Sequence, residues 1–299
     1  MEIRFWGTRG SIASPGPSTL EFGGNTTCLE VVLNSGRRIV IDAGTGIRLL
    51  GEHLKTSVAT VRLYMFFTHN HWDHLLGLPF FAPIYRSDTD IQMDGWPQAI
   101  PALKRVFDDH LGDGFFPVAY EEIKAHKTFL NQVARKPLSI DDATIEATQL
   151  NHPQGCLGFR IQEEGQALVF ITDNELGING GYRFKEFVRF AQKADILIHD
   201  AQYLPEEIAS HRGWGHSTYE EAVNLALEAE AKTLLLTHHD PARTDAQVRE
   251  IIRRARGMVA GQGEALEVDG AREGAVYHLA AGKNRCSVRL AAASGRKRT

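Results

Sequence analysis

The sequence has few cysteines, no long apolar run and no repeat, and each absence excludes a class of protein. No hydrophobic stretch approaches the roughly 20 residues of a membrane-spanning helix, so we expect no membrane span. Three widely spaced cysteines, an odd number, argue against a disulfide framework and favour a reducing compartment. The N-terminal segment shows no charged and then apolar leader, so we expect no export signal and predict a cytoplasmic location.

Basic residues are scarce over most of the chain. The net charge is −4, although six basic residues and no acidic one follow position 282. Without those six, 27 basic residues stand against 37 acidic ones. Affinity for long nucleic acids depends on Lys and Arg that neutralise phosphates, so we expect a small-molecule substrate and no stable nucleic-acid partner. The basic segment 283–299 is predicted to be a flexible tail.

The remaining composition is that of a globular protein, with 43% hydrophobic and 23% charged residues. Strands dominate the first third and mixed strand–helix units follow, which predicts an α/β architecture with the sheet inside and helices outside. We expect one domain over residues 1–282, in which segment 80–140, rich in aromatics, Pro and Gly, is an insertion that roofs a site. The predicted strands are Glu2–Trp6, Cys28–Leu33, Arg38–Ile41, Val61–Phe67, Thr144–Gln149, Ala167–Ile171, Asp195–Ile198 and Thr233–Leu236. The predicted helices are Gly46–Leu54, Arg183–Ala191, Ser217–Ala231 and Asp245–Arg256.

The third of these helices has a clear start signal. Ser217 and Glu220 have the spacing of a capping box, in which the hydroxyl accepts from the Glu220 amide and the carboxylate reaches back. Apolar residues then recur at helical spacing from Ala222 to Ala229, which predicts one buried stripe.

The most informative segment is Thr68–His74, which carries three histidines and an aspartate directly after the clearest predicted strand. Neutral imidazole and carboxylate are ligands for zinc and similar divalent ions. In an extended segment alternate residues share a face, so His69 and His71 can converge on one ion. Asp73 and His74 follow where the chain turns, and they can serve a second ion nearby.

Four later strands end in a similar way. Each apolar run delivers His or Asp at its carboxyl end, where open sheets and rigid scaffolds present binding residues. One such ending means little, but five in one chain indicate a shared site. The four endings are Asn151-His152, Thr172-Asp173, His199-Asp200 and Thr237-His238-His239.

These residues together resemble the metallo-β-lactamase superfamily of binuclear metallohydrolases. The H-x-H-x-D-H run at 69–74, the later His152, the Asp173 after a strand and the final Thr237-His238 carry the resemblance. Asp42 matches an early aspartate that usually shapes the site of that family without binding metal. The resemblance implies a four-layer αβ/βα sandwich with metals at one edge of the paired sheets.

Two further segments indicate which branch of the superfamily the chain resembles. Gly7–Ser11 and Gly215–Thr218 resemble the branch that holds ribonuclease Z and related phosphodiesterases. Members of this kind often form dimers, so a homodimer is one alternative and the resemblance leaves the oligomeric state open.

The resemblance assigns a metal-ligand role to seven residues. It implies two divalent ions with a bridging hydroxide as the nucleophile, because two cations lower the pKa of water between them. We expect zinc, with manganese or iron as alternatives. His69, His71 and His152 are expected to hold one ion, Asp73, His74 and His238 the other, and Asp173 is expected to bridge them.

Three residues are candidates for catalysis. Asp73 can orient the nucleophile in addition to binding metal. In phosphodiesterase relatives the position of His216 helps the leaving group depart or holds phosphate, and a helix N-terminus favours anions at such a place. Asp200 is expected to hydrogen-bond His216 and to fix its tautomer.

These assignments predict a binuclear metal-dependent hydrolase that acts on a small phosphodiester, such as a cyclic or short nucleotide. Ribonuclease Z carries a long exosite insertion between the ligands matched by His152 and Asp173, whereas 20 residues separate them here. The runner-up is a thioester or lactone hydrolase of the same fold, against which the His216 motif argues. A non-hydrolytic metal sensor is a third possibility, although redox relatives usually carry Glu at the position of His71.

Overall fold

The apolar runs of the sequence form strands, and the amphipathic segments between them form helices. The computed structural model describes residues 1–57, 60–99, 101, 103, 122–178, 183–262, 265–279 and 287–290. Its strands are β1 (Glu2–Gly7), β2 (Cys28–Val32), β3 (Arg38–Ile41), β4 (Arg62–Phe67), β5 (Asp90–Gly95), β6 (His126–Phe129), β7 (Leu138–Ile140), β8 (Ala143–Gln149), β9 (Leu157–Glu163), β10 (Gln166–Ile171), β11 (Ile196–Asp200), β12 (Thr233–Thr237), β13 (Glu267–Gly270), β14 (Ala275–His278) and β15 (Ser287–Leu290). Its helices are α1 (Ile47–Ser57), α2 (Trp72–Leu75), α3 (Phe184–Ala191), α4 (Ile208–His211), α5 (Tyr219–Glu228) and α6 (Asp245–Gln262). Across the described ranges, no helix has the length and apolar content needed to cross a bilayer.

The strands form two mixed sheets. The first has the order β15-β14-β1-β2-β3-β4-β5-β6, and the second has the order β13-β12-β11-β10-β9-β8-β7. In the first sheet β3, β4, β5 and β6 run parallel, and in the second β10, β11, β12 and β13 run parallel. In each sheet the parallel strands are neighbours, and the antiparallel pairs stand at the other end of the strand order. The parallel strands of both sheets therefore supply most of the carboxyl ends at one edge.

Each sheet is buried on both faces, which explains why its central strands are continuously apolar. On β11, Ile196 and Ile198 pack between the sheets, and Leu197 faces the outer helices. On β4, Phe66 packs between the sheets and Phe67 faces the helix side. Helix α1 covers the first sheet, and α3, α5 and α6 cover the second. The four-layer αβ/βα sandwich expected from the resemblance is therefore confirmed.

A tight hairpin lies in the chain between the predicted ligands His152 and Asp173. Strands β9 and β10 are antiparallel, with Glu163 opposite Gln166. Only Glu164 and Gly165 lie between them, and both have positive φ values, 49° and 77°. Positive φ at both central residues is the signature of a type I′ hairpin turn. The chain between β9 and β10 therefore returns at once and does not extend away from the domain.

Parts of segment 80–140 belong to the sheets, which differs from the expected insertion. Strands β5 and β6 extend the first sheet in parallel, and β7 pairs with β8 in the second. The Asp94 carboxylate accepts from the backbone amides of Gly95, Gln132 and Val133, which joins the end of β5 to the chain after β6. Residues 104–121 lie outside the described residues, so a roof formed by them stays a prediction.

The expected tail also includes one strand. Residues 287–290 form β15, which pairs antiparallel with β14 at the edge of the first sheet. The other residues of 283–299 lie outside the described part of the chain. Their flexibility, and a domain limit at 282, stay predictions.

The capping box of α5 lies one residue later than predicted. The Thr218 hydroxyl accepts from the Glu221 amide at 3.2 Å, and the Glu221 carboxylate accepts from the Thr218 amide at 2.9 Å. Ser217 does not cap because its hydroxyl is used elsewhere, where it donates to the carbonyl of Asn174 and accepts from the Leu176 amide. The prediction that Ser217 and Glu220 form the capping box is therefore wrong.

The corrected cap leads to a stability prediction. Thr218→Ala removes the oxygen that satisfies a free amide of α5, so the free energy of unfolding should fall by about 1 kcal/mol. Denaturant unfolding followed by circular dichroism would measure the loss. The control is Thr218→Ser, which keeps the hydroxyl and should lose much less. Equal losses in the two variants would contradict the assigned cap.

Candidate metal centre

The predicted ligands meet at one edge of the two sheets. Strand β4 of the first sheet and β8, β10 and β12 of the second end at this edge, where open sheets present binding residues. Helix α2 begins immediately after the β4 loop and carries two of the ligands. His69, His71, Asp73 and His74 follow β4, and His152, Asp173 and His238 follow β8, β10 and β12.

Three imidazoles form one donor group. The donor atoms of His69, His71 and His152 lie within 4.8 Å of one another, and His71 Nδ1 is 3.2 Å from His152 Nε2. His152 Nδ1 lies 3.1 Å from the carbonyl of Gly215 and must donate to it, since a carbonyl only accepts. Nε2 of that ring is then free of a proton and faces the group. Burial lowers the pKa of His152 to about 4, so the ring is in the neutral form that binds metal.

Asp73, His74 and His238 form a second, buried donor group. Asp73 Oδ2 lies 3.3 Å from His74 Nε2 and 3.2 Å from His238 Nε2. The same oxygen accepts from the backbone amide of Ser11 at 2.8 Å. His238 Nδ1 lies 2.9 Å from Gln202 Oε1, so it carries the proton and leaves Nε2 for the group.

Asp173 lies between the two groups. Its Oδ2 is 3.3 Å from His74 Nε2, and its Oδ1 is 3.4 Å from His238 Nε2 and 3.8 Å from His69 Nε2. Burial would raise the pKa of this carboxyl, but His238, His74 and His69 outweigh that effect and hold the pKa well below its usual range. Asp173 is therefore a charged carboxylate that both groups share.

The donor groups fit divalent cations. His69 Nε2, His74 Nε2 and His216 Nδ1 are buried, and among the described residues none of them has a hydrogen-bond partner. A buried polar atom without a partner costs about 1–3 kcal/mol, so native proteins seldom leave several together. Imidazole with carboxylate is a ligand set that suits zinc, manganese and iron. A cation at each group would satisfy the free nitrogens of His69 and His74.

The charge around His74 favours a cation. Burial would lower the pKa of His74, but Asp73, Asp173 and Asp42 outweigh it and raise the pKa well above its usual value. The potential that favours a proton on this ring favours a divalent ion at the same place still more, because the ion has twice the charge.

Asp42 acts on a ligand from outside the donor groups. It accepts from the amide and the hydroxyl of Thr68, both at 2.8 Å. Its Oδ2 also accepts from His74 Nδ1 at 2.7 Å, which turns Nε2 of that ring towards Asp73 and Asp173. The contact agrees with the expected role of Asp42 in shaping the site.

Several residues at this edge have a left-handed backbone. The φ values are 60° at Ser11, 63° at Asp42, 56° at Asp173 and 55° at His238. Residues other than glycine seldom adopt this region, and such positions concentrate at functional sites where surrounding contacts hold them.

The segment Gly7–Ser11 supports His238. A Cβ atom on Gly10 would lie 2.4 Å from His238 Nδ1, so only glycine allows this approach. Arg9 is fully buried, and all described hydrogen bonds of its side chain go to backbone carbonyls. Those carbonyls belong to Gly23, Asp240 and Arg243.

His216 lies beside the donor groups and is paired with Asp200. Its Nδ1 is 3.6 Å from Asp200 Oδ2 and 3.9 Å from Asp173 Oδ1. Asp200 has no exposed surface and accepts from the amides of Asn174 and Ser217 at 2.7 Å and 2.8 Å. The carboxylate is thus fixed in place and directed at the His216 ring.

Sequence reasoning missed Glu175, which is fully buried. Its carboxylate accepts from the amides of Gly213 and Gly215, at 2.9 Å and 3.0 Å. Gly215 in turn orients His152, and a Cβ on Gly215 would lie 2.2 Å from that ring. Its partners follow about 40 residues later, so nothing in the local sequence distinguishes Glu175 from a surface glutamate. Gln202, which orients His238, was missed for the same reason.

Three neighbouring side chains lie outside the donor groups. His199 Nδ1 donates to the carbonyl of Asp200 at 2.8 Å. His239 Nε2 donates to the carbonyl of Ala271, and burial lowers the pKa of this ring to about 3. Cys156 is buried with its Sγ 3.6 Å from His69 Nδ1, on the side of that ring away from Asp173.

Comparison with known proteins agrees with this geometry. The family model of the beta-lactamase superfamily domain matches residues 37–239, a range that contains all seven predicted metal ligands. The chain belongs to the beta-lactamase superfamily. A ribonuclease Z of Bacillus cereus (strain B4264) is 24% identical over 308 aligned positions, which cover 86% of this chain and 94% of that protein.

Solved structures of the superfamily share the fold. The metallo-beta-lactamase fold protein YhfI from Bacillus subtilis superposes with a TM-score of 0.66 at 19% identity, over 92% of this chain and 97% of its own. A diphosphatase from the PhnP family gives 0.64 at 16% identity, over 93% and 98%. As a member of the superfamily, this protein is a metal-dependent hydrolase. The similarity to a ribonuclease makes the expected absence of a nucleic-acid partner doubtful.

The role of Glu175 leads to a prediction about the loop that orients His152. Hydrogen bonds to a charged group contribute about 1.5–3 kcal/mol, so Glu175→Ala should speed amide exchange at Gly213 and Gly215 by about ten-fold or more. Hydrogen exchange with mass spectrometry measures this, with the amides of β11 as internal control. Glu175→Gln keeps one acceptor oxygen, so its exchange rates at Gly213 and Gly215 should lie between those of the parent protein and those of Glu175→Ala. An equal increase throughout β11 would contradict a local role.

Proposed function

We propose that this protein is a binuclear metal-dependent phosphodiesterase that acts on a small, nucleotide-like substrate. The observation that carries the proposal is the pair of His216 and Asp200 beside the shared carboxylate Asp173. The donor groups alone would serve many hydrolytic reactions, whereas a buried imidazole with a carboxylate 3.6 Å from its Nδ1 is suited to proton transfer to a leaving oxygen.

The two donor groups divide the proposed metal ligands. Zinc is the first candidate, with manganese or iron as alternatives. Bound cations would supply Lewis acidity, which makes water a nucleophile near neutral pH and offsets the charge of the phosphodiester. We assign His69, His71 and His152 to one ion, Asp73, His74 and His238 to the other, and Asp173 to both.

The residues of this chain supply orientation and proton transfer. Asp73 makes its contacts with His74, His238 and the Ser11 amide through Oδ2, so Oδ1 is the atom we assign to orient the attacking water. Asp200 would hold a proton on His216 Nδ1, and Nε2 would then deliver a proton to the departing oxygen. Asp200 is in this proposal a positioning residue.

The surface supports a small substrate. The β9–β10 hairpin turns in two residues, and it lies between His152 and Asp173, the interval in which the resemblance predicts an exosite insertion for a ribonuclease Z. Residues 1–282 are acidic in balance, which disfavours a long polyanion. RNA is nevertheless the second substrate to assay, because a curated relative at 24% identity is a ribonuclease Z.

The cysteines support the predicted cytoplasmic location. Cys28 and Cys156 are free thiols with no exposed surface. Burial raises the pKa of both thiols well above its usual value, so they stay protonated and unreactive. Buried free thiols without a disulfide are typical of proteins in reducing compartments.

The first test is hydrolysis of bis(p-nitrophenyl) phosphate by metal-analysed protein. We expect about two ions per chain by mass spectrometry and turnover that a chelator abolishes and zinc or manganese restores. Asp73→Ala should lower the metal content towards one ion and the activity by about 100-fold or more.

The matched control is Asp141→Ala, which removes an exposed carboxylate that pairs with Arg37 outside the metal centre. It should keep both metal content and activity. Normal metal content in Asp73→Ala would contradict the binuclear assignment. A metal-loaded protein that hydrolyses thioesters or lactones and no phosphodiester would favour the runner-up function.

The proton-transfer role of His216 gives a second prediction. His216→Ala should lower kcat by roughly 100-fold or more while both ions remain bound, since general acid catalysis contributes about 10²–10⁴-fold. The loss should shrink for substrates with a p-nitrophenolate leaving group, which needs little protonation, relative to those with an alkoxide. A loss of the same size for both substrate classes would contradict proton transfer.

A further inference from the structure

A row of aromatic rings leads from the metal centre to the surface. The ring of His216 lies 5.9 Å from that of Tyr203 in an edge-to-face arrangement. Tyr203 stacks on His211 at 4.3 Å, and His211 meets Trp214 edge-to-face at 4.9 Å. Trp214 is 59% exposed, while Tyr203 is buried. The row therefore begins at the proposed proton donor and ends at a solvent-exposed indole.

The backbone that carries Trp214 is anchored. Gly213 and Gly215 on either side of it donate to the buried carboxylate of Glu175. The amide of Trp214 donates to the carbonyl of His211 at 3.1 Å. An aromatic side chain on an anchored loop loses little freedom when a flat group stacks on it, which favours binding.

The loop offers an aromatic face and little free charge. Arg212, next to Gly213, pairs with Glu221 at 3.2 Å and lies 3.6 Å from Glu175. Its charge is balanced by these two carboxylates, so it is poorly placed to capture a phosphate. The chemistry of the exposed end of the row is thus that of the indole.

We propose that Trp214, supported by His211 and Tyr203, is a specificity residue that stacks on a nucleobase of the substrate. The proposal rests on the proposed function, because it takes His216 as the point at which the scissile phosphodiester lies. Every base has an aromatic face, so stacking of this kind predicts a strong preference for nucleotides with little choice among bases.

The test compares two substrates with the same scissile bonds. These are adenosine 2′,3′-cyclic phosphate and methyl riboside 2′,3′-cyclic phosphate, which lacks the base. Trp214→Ala should lower kcat/KM for the adenosine compound by about 5- to 100-fold, the range for loss of one base–aromatic stack. It should leave kcat/KM for the abasic compound unchanged, and Trp214→Phe should restore most of the loss.

The matched control is Trp72→Ala. Trp72 is 65% exposed and follows His71, but it is not part of the row. This variant should keep the ratio of the two kcat/KM values. An unchanged ratio in Trp214→Ala, or the same change of ratio in both variants, would overturn the proposal.

A binding measurement separates failure of this inference from failure of the proposed function. Calorimetry on the protein as purified compares adenosine 5′-monophosphate with ribose 5-phosphate. We expect tighter binding of the adenosine compound, and loss of that difference in Trp214→Ala. If neither cyclic phosphate is hydrolysed, the proposed function fails and this measurement alone decides the stacking role. Equal affinity of the parent protein for the two compounds would overturn the role.

Discussion

The carboxylate of Asp173 is buried between the two donor groups, at the edge where the two sheets meet. A charge with 2% of its surface exposed is costly unless partners of opposite charge or strong donors surround it. Thr172 donates to it at 2.7 Å, and three imidazole nitrogens lie within 3.3–3.8 Å. His69 and His74 belong to the first sheet and His238 to the second, so this one carboxylate ties the two halves of the sandwich together.

The protein fixes three of the imidazoles proposed to bind metal through their other nitrogen. Asp42 accepts from His74, the carbonyl of Gly215 accepts from His152, and Gln202 accepts from His238. Each acceptor sets both the tautomer and the tilt of its ring, which metal sites require. The backbone shares this task, because the amide of Ser11, a residue with a left-handed φ, donates to the Asp73 carboxylate. Rigidity at this edge therefore depends on loops from both sheets.

The sequence was most informative where the signal is local. Strand β3 has the predicted bounds, and β4 begins one residue later than predicted, because an apolar run marks a strand buried on both faces. The candidate ligands were inferred from an equally local signal, since they follow the ends of β4, β8, β10 and β12. Distant partners could not be found this way. Strand β5 carries Asp90 and Asp94 among its six residues, and it is recognisable only from its pairing with β4. The cap of α5 moved by one residue because Asn174, far away in sequence, uses the Ser217 hydroxyl.

The order of the ligands along the chain has a consequence for synthesis on the ribosome. Asp73 and His238, which lie 3.2 Å apart in the folded protein, are separated by 165 residues. A nascent chain that has exposed β1 to β4 and residues 68–75 holds two of the three residues of each donor group, and the third residue of each follows a strand of the second sheet. The group of His69, His71 and His152 can therefore be completed once the residues after β8 have emerged and docked, whereas the group of Asp73, His74 and His238 must wait for β12.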